Sequence, residues 1–508
     1  MNFQCTTEDT VVATEQGKYR GYQFRDIYQF RGIPYAKAER FRPPEEPDSF
    51  EGVRDALHYG SVCPLMFPDR ADGDVMSPHR VWFPDENCQN LNIWTPSLQA
   101  ENRLPVIVWF HGGGFFAGSS IEQYAYDGES LAGYGPAVIV TVNHRLNVLG
   151  YLDLRGFDDK YERSCNAGNL DLVAALQWIH RNIAGFGGDP DNVTIFGQSG
   201  GGGKVISLMQ MPQADGLFHK AMIMSGTLGE VLTDHTVDMK PVIRRTMANL
   251  EIAEEEIDRL QTIPYEKLVE AYLEAYGALI TDRGIPFFGP HANVDYVGDP
   301  MKVGFTEHAK TIPVIIGSVF SEFYSSSYRK EHVPDEKIQE IIVEKYGEEK
   351  GTALVAAFRK AYPEKVLADL FAIDGGAFRY ESKKWARERV KQGCADTWLY
   401  LFDLDFPAFG GTPAWHCSDI PYFFHNLDKT PIVNIEEVSD RLCEQMSGAF
   451  MEFARTGRPA SPLLPEWEPC EEGHEKTMFF DKSPVLRENV DDEILDLCRE
   501  LKINGSFI

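Results

Sequence analysis

Three uninterrupted apolar runs constrain this chain more than anything else in its sequence. Leu104-Pro105-Val106-Ile107-Val108-Trp109-Phe110, Ala137-Val138-Ile139-Val140-Thr141-Val142 and Val193-Thr194-Ile195-Phe196 are β-branched or aromatic almost throughout. A strand with one wet face alternates apolar and polar residues. A strand apolar at every position must be buried on both faces, as in a parallel sheet covered by helices. Between the second and third runs, Leu170 to Ile183 has no Gly or Pro and is apolar around most of a helical circumference. Strand and helix therefore alternate, which predicts an α/β architecture with a large, mostly parallel sheet flanked by helices.

Around this centre the pattern changes twice. Thr10–Thr14, Lys18–Tyr22 and Ile27–Phe30 are short strand-like pieces separated by glycines and polar breaks, which predicts a small N-terminal β-meander. Leu91–Trp94 and Pro313–Gly317 read as further strands. Residues ~235–275 and ~330–395 are charged, rich in Leu, Ala and Glu, and helical in period. They are read as helical excursions from the sheet within one domain spanning 1–508. Asp491 to Glu500 reads as a terminal helix with a solvated face.

Composition excludes several classes. With 49 Lys and Arg against 77 Asp and Glu, the formal net charge is −28. Nucleic-acid binding depends on cations neutralising phosphates, so no nucleic-acid partner is expected. Attraction to an anionic membrane surface is disfavoured for the same reason. Met1 to Asp9 has neither a basic start nor an apolar core, and no apolar stretch reaches the ~20 residues that span a bilayer. A cytoplasmic protein with no membrane association is expected. Nine cysteines without a Cys-x-x-Cys support neither a zinc ribbon nor a redox motif.

Chemistry enters at Gly197-Gln198-Ser199-Gly200-Gly201. This Gly-x-Ser-x-Gly follows the Val193–Phe196 run directly and precedes a helical stretch, Lys204–Leu208. Strand, sharp turn and helix together place a serine on an exposed elbow, and the flanking glycines keep side chains out of the turn. Other Gly-rich readings fail. A phosphate-binding P-loop would need Gly at position 198 and Ser or Thr at 205, where Gln and Val stand. A dinucleotide fingerprint needs a second strand and an acidic residue about 20 positions on, whereas the downstream segment reads as helix and Met-rich loop. No His-Glu-x-x-His occurs, so no zinc site is expected.

His111-Gly112-Gly113-Gly114-Phe115-Phe116 follows the Leu104–Phe110 strand. Consecutive glycines leave backbone N–H groups unshielded, as an oxyanion hole requires. Gly113 and Gly114 are assigned to that hole, with Gly200 as a third donor and His111 in a structural role. A nucleophilic serine also needs a base and an orienting carboxylate. The chain has 13 His, and spacing alone does not choose among them. The order Ser, acid, His places the base well after Ser199. His416 lies in a Gly/Pro/Ser loop, and Glu322 follows the Pro313–Gly317 strand.

The sequence resembles the type-B carboxylesterase family, the cholinesterase-like α/β-hydrolases, in its bacterial form. The likeness runs from Phe30-Arg31-Gly32-Ile33-Pro34-Tyr35-Ala36 and Arg40-Phe41-Arg42-Pro43-Pro44 through Glu86–Pro96, the His-Gly-Gly-Gly-Phe loop and Asn143-His144-Arg145. It continues through Phe186–Ile195, the serine elbow, Ser225-Gly226, Gly317–Glu322, His416–Tyr422 and Phe453-Ala454-Arg455-Thr456-Gly457. The resemblance implies an α/β-hydrolase fold with Ser199 as nucleophile, His416 as base and Glu322 as acid. It places Ser225 beside the triad and matches Cys63 and Cys88 to the family's first disulfide pair, a candidate bond that a cytosol would keep reduced. Two departures stand out. The family's usual elbow is Gly-Glu-Ser-Ala-Gly, whereas this chain has Gln198 and Gly200.

The expected function is therefore hydrolysis of small-molecule carboxylic esters through an acyl-Ser199 intermediate, with no cofactor and no metal. Phe115, Phe116, Trp415, Phe287 and Phe288 are expected to line an apolar pocket. An amidase or acyltransferase using the same acyl-enzyme is the nearer alternative. A non-catalytic cholinesterase-like binding protein is the more distant one.

Overall fold

The computed structural model describes residues 3–67, 77–227, 238–280 and 288–504. In chain order its strands are β1 Phe3–Gln4, β2 Val11–Ala13, β3 Lys18–Arg20, β4 Tyr22–Phe24, β5 Ile27–Pro34 and β6 Val53–Asp55. Then come β7 Asn90–Thr95, β8 Leu104–Phe110, β9 Val138–Val142, β10 Gly188–Gln198 and β11 Lys220–Met224. The last four are β12 Val314–Val319, β13 Thr397–Phe402, β14 Lys476–Phe480 and β15 Val485–Glu488.

Twelve strands form one sheet in the order β1-β4-β5-β7-β9-β8-β10-β11-β12-β13-β14-β15. The run from β9 to β14 is parallel, and the strands outside it pair antiparallel. Strand β8 shows why the apolar runs take this place. Ile107 and Trp109 point into one core, while Val106, Val108 and Phe110 point into the other. Both faces of the strand are dry, and its central backbone is paired on both edges by β9 and β10.

The helix between the second and third runs spans Ala167–Asn182, three residues earlier at its start than Leu170, and is buried on nearly every side. The N-terminal meander is divided. Strands β2 and β3 pair with β6 in a separate three-stranded sheet, while β4 and β5 extend the edge of the large one. Gly21 marks the crossing between the two: its N–H donates to Thr10 O at 2.9 Å, and a Cβ there would meet the Gln29 carbonyl and the Phe30 ring.

Several strands were not legible as such, among them two in the middle of the parallel run. Lys220–Met224, inside the segment read as helix and Met-rich loop, is the fully buried β11. Thr397–Phe402 is the fully buried β13. Beyond the sheet, helices Lys240–Asn249 and Tyr265–Leu279 share a third core with Phe115, Val148 and Leu149. Helices Asp335–Tyr346 and Glu348–Ala361 send Ile338, Ile342, Leu354 and Phe358 into the core on one sheet face. No helix among the described residues is long and apolar enough to cross a membrane.

Candidate active site

Four adjacent parallel strands end at one place. The carboxyl ends of β8, β10, β11 and β12 lead respectively to the Gly112–Gly114 turn, Ser199, Ser225 and Glu322. In open parallel sheets this edge is where helices and loops part and leave a crevice.

Ser199 sits between β10 and the helix Gly200–Leu208 at φ 58°, ψ −126°, a conformation L-residues rarely adopt. Its N–H donates to Met224 O at 2.8 Å, which pins the elbow to the next strand. The flanking glycines are a steric necessity. A Cβ on Gly197 would strike the Gly201 backbone, and one on Gly201 would strike the Phe110 carbonyl. Ser225, Glu322 and Cys417 also hold positive φ, at 43°, 49° and 75°. Four residues with strained backbone therefore border one crevice, as at sites whose geometry the surrounding fold imposes.

Glu322 and His416 are joined twice. His416 Nδ1 bonds Glu322 Oε2, and the His416 backbone N–H donates to Glu322 O at 2.9 Å. The other carboxylate oxygen accepts from Ser225 Oγ at 2.7 Å and from Val319 N–H at 3.0 Å. The Glu322 side chain is 0% exposed and that of His416 is 9% exposed. Burial pushes the carboxyl up and the imidazole down, because each resists carrying charge away from water. Ser225 and Val319 oppose this at Glu322 by donating to the ionised carboxylate.

The Gly112–Gly114 turn lies against the elbow. A Cβ on Gly112 would lie 3.4 Å from Ser199 Cβ, and a Cβ on Gly200 would sink into the Gly114 backbone. Gly113 and Gly114 hold φ of 82° and 61°, conformations open to glycine. Their N–H groups make no hydrogen bond among the described residues, and Gly200 heads a helix whose first N–H groups have no intrahelical acceptor. Three backbone N–H groups and a helix N-terminus thus lie close to the serine, a setting suited to a developing negative charge.

Comparison with known proteins shows the family and the fold. The profile of the Carboxylesterase family matches residues 8–497. The chain belongs to the carboxylesterase family. It is 30% identical to the para-nitrobenzyl esterase of Bacillus subtilis over 498 residues, 95% of this chain and 97% of that one. It is 29% identical to the phenmedipham hydrolase of Pseudarthrobacter oxydans, across 90% of this chain and 92% of that one. A solved esterase from Clostridium hathewayi, described as able to hydrolyze aliphatic aromatic polyesters, superposes with a TM-score of 0.94. It is 46% identical, covering 98% of this chain and 100% of that one. The fold of this carboxylesterase is the α/β-hydrolase fold of these neighbours.

Beside the glycine turn the chain carries a polar cluster that the sequence reading did not single out. Lys204, fully buried on the elbow helix, donates from Nζ to His111 O at 2.8 Å. It ties the start of the glycine turn to the helix that follows Ser199. Burial pushes its amine down to about 7 and the nearby Glu122 carboxyl up to about 7. His111 is fully buried, and its Nδ1 lies 2.8 Å from Gly112 O, consistent with a structural role.

The expected pocket needs correction. Phe115 is fully buried with its edge against Tyr151, turned into the core by the glycine turn before it. Trp415 is 8% exposed and packs on Phe406, because the bridge between Trp415 and Glu322 turns its ring inward as the next residue presents His416. Phe288 is buried in a stack on Tyr272. Phe116 is half-buried beside Gly114, and Phe287 lies outside the described residues. The aromatic at the mouth is instead Phe323, 55% exposed, its ring 4.0 Å from that of His416. Its position directly after Glu322 was the available signal. Cys63 and Cys88, the candidate disulfide pair, are buried neighbours and both free thiols.

Proposed function

We propose that this protein is a serine carboxylesterase in which Ser199, His416 and Glu322 form the triad. The observation that carries the reading is the chain of bonds from Ser225 through Glu322 to His416, whose ring lies 3.2 Å from Gln198, the residue before Ser199 on the strained elbow. Ser199 Oγ attacks the ester carbonyl carbon and its proton passes to His416 Nε2. Glu322 holds Nδ1–H and stabilises the imidazolium. The carbonyl oxygen, now anionic, is taken by the N–H groups of Gly113, Gly114 and Gly200. Collapse breaks the bond to the alcohol, which leaves with the proton from His416, and acyl-Ser199 remains. Water repeats the sequence and releases the acid. One such donor is worth roughly 2.7–4 kcal/mol in the transition state.

Aromatic esters are part of the proposal. Phe323 offers an exposed apolar face beside the base, and the Clostridium hathewayi relative is an esterase described for aliphatic aromatic polyesters. Nine free thiols support a cytoplasmic, reducing setting. The test is hydrolysis of a short p-nitrophenyl ester near neutral pH by wild type and by Ser199→Ala. Turnover that falls by roughly 10⁴-fold or more in the variant supports the assignment. Equal turnover in both proteins overturns it.

A further inference from the structure

Gln198, the residue before the nucleophile, reaches the base. Its carboxamide nitrogen lies 3.2 Å from His416 Nε2 and 3.4 Å from Nδ1. Near-equal distances to both ring nitrogens fit only a position over the face of the imidazole. In the ring plane they would drive the amide into Cε1 or into the opposite edge. The Nε2 lone pair lies in the ring plane, away from that contact. The ring of Phe323, 4.0 Å away between centroids and tilted 36°, also lies over a face. The imidazole is thus flanked by the amide and by the rings of Phe323 and, at 5.3 Å, Phe378.

The amide is itself oriented. Cys417 Sγ donates to Gln198 Oε1 at 3.1 Å, which fixes the oxygen there and turns the –NH2 toward the imidazole. Cys417 adjoins His416 and is held at φ 75°, so base and thiol move together.

We propose that Gln198, aimed by Cys417, is a positioning residue that clamps His416 against Phe323 and keeps an uncharged donor on the imidazole face. This rests on the esterase reading above. The chemistry separates Gln from the Glu usual in the resembling family. An amide N–H favours a neutral ring beneath it, whereas a carboxylate has no donor and stabilises imidazolium. The other ionisable groups facing His416 are Glu322 from the β12 loop, Asp374 ahead of the helix Phe378–Lys391, and Asp419 and Cys417 on its own loop. None changes when Gln198 is replaced.

The test compares the pH profile of kcat/KM and the thermal melt for wild type, Gln198→Glu, Gln198→Met, Cys417→Ala and Cys417→Ser. Gln198→Glu should move the acid limb up by about one pH unit, a tenfold change in proton affinity. Gln198→Met should lower kcat by about tenfold with KM little changed, because the clamp loosens and the pocket does not. Cys417→Ala should lose kcat in the same way, and Cys417→Ser, which restores a donor, should regain it. Coincident acid limbs in wild type and a folded Gln198→Glu overturn the proposal. If Gln198→Glu does not fold, equal kcat in wild type, Cys417→Ala and Cys417→Ser overturns it. The His416 ring titration, followed by NMR with labelled histidine, reads the same shift without turnover. A protein that fails as an esterase but shows that shift separates the two readings.

Discussion

At the scale of single residues, proton position decides whether the serine is activated. An extra proton on the buried Glu322–His416 pair blocks the base wherever it formally sits. On the imidazole it occupies Nε2. On the carboxyl it bonds Nδ1, and the neutral ring then carries its own proton on Nε2. The titration therefore belongs to the pair. Activity should rise with pH as the pair loses that proton. Ser225 donates to the ionised carboxylate at 2.7 Å and favours the loss. Ser225→Ala should therefore move the acid limb of kcat/KM upward, by about one unit. A limb that stays in place or moves down would contradict the role given to Ser225. Sequence made the elbow legible because its glycines answer to a steric rule, and the structure shows the collisions they avoid. His416 and Glu322 were legible only through the family resemblance and chain order, since 13 histidines share no spacing rule with Ser199. The contact from Gln198 to His416 joins residues 218 apart and had no sequence signal beyond an unusual residue type.

At the scale of elements, the glycine turn and the elbow helix operate as one piece. Lys204 links the helix to the His111 carbonyl, and Gly200 allows the Gly114 backbone to lie against the helix start. Where the family usually carries Ala, the bulkier Gly200→Val should push the turn away and misplace its N–H donors. The expected result is a kcat loss of roughly 10²-fold, the cost of one oxyanion donor, with a much smaller change in KM. Unchanged kcat would mean that the turn does not form the hole. Strands were readable where burial on both faces leaves an unbroken β-branched run, as in β8 and β9. Strand β11, Lys220-Ala-Met-Ile-Met, is as deeply buried but has weak β-formers, so tertiary packing decides its conformation. The pocket aromatics were misread for a related reason. Composition identifies Phe115 and Trp415 as apolar, but only the turn geometry on either side of them sends their rings inward.

At the scale of the whole molecule, an acidic chain carries several buried carboxyls that resist ionisation. Burial pushes Glu122, Asp369, Asp374 and Asp419 each up to about 7. A carboxyl with a raised pKa keeps its proton in the folded state at a pH where the unfolded chain has released it. Its contribution is fully present below the unfolded value, about 4, and is lost as pH rises through the folded one. The formal net charge of −28 adds self-repulsion in the same direction as these groups ionise. Melting temperature should therefore decline from about pH 5 toward pH 8, as thermal scans at constant ionic strength would show. A rise over that interval would contradict the burial assigned to these groups. The sheet that buries them also gathers the reactive side chains. The α/β architecture was legible from three strand runs and a helix, whereas the division of the N-terminal strands between two sheets depends on long-range pairing with β6 and β7.

The central claim is that Ser199 is a nucleophile activated by His416. A p-nitrophenyl phosphonate tests it directly, because the serine displaces nitrophenolate and stays phosphonylated. Peptide mass mapping after treatment at pH 7–8 should place a single adduct on the peptide containing Ser199, with none there in Ser199→Ala or His416→Ala. An adduct on another residue, or Ser199 labelled equally without His416, would contradict the account.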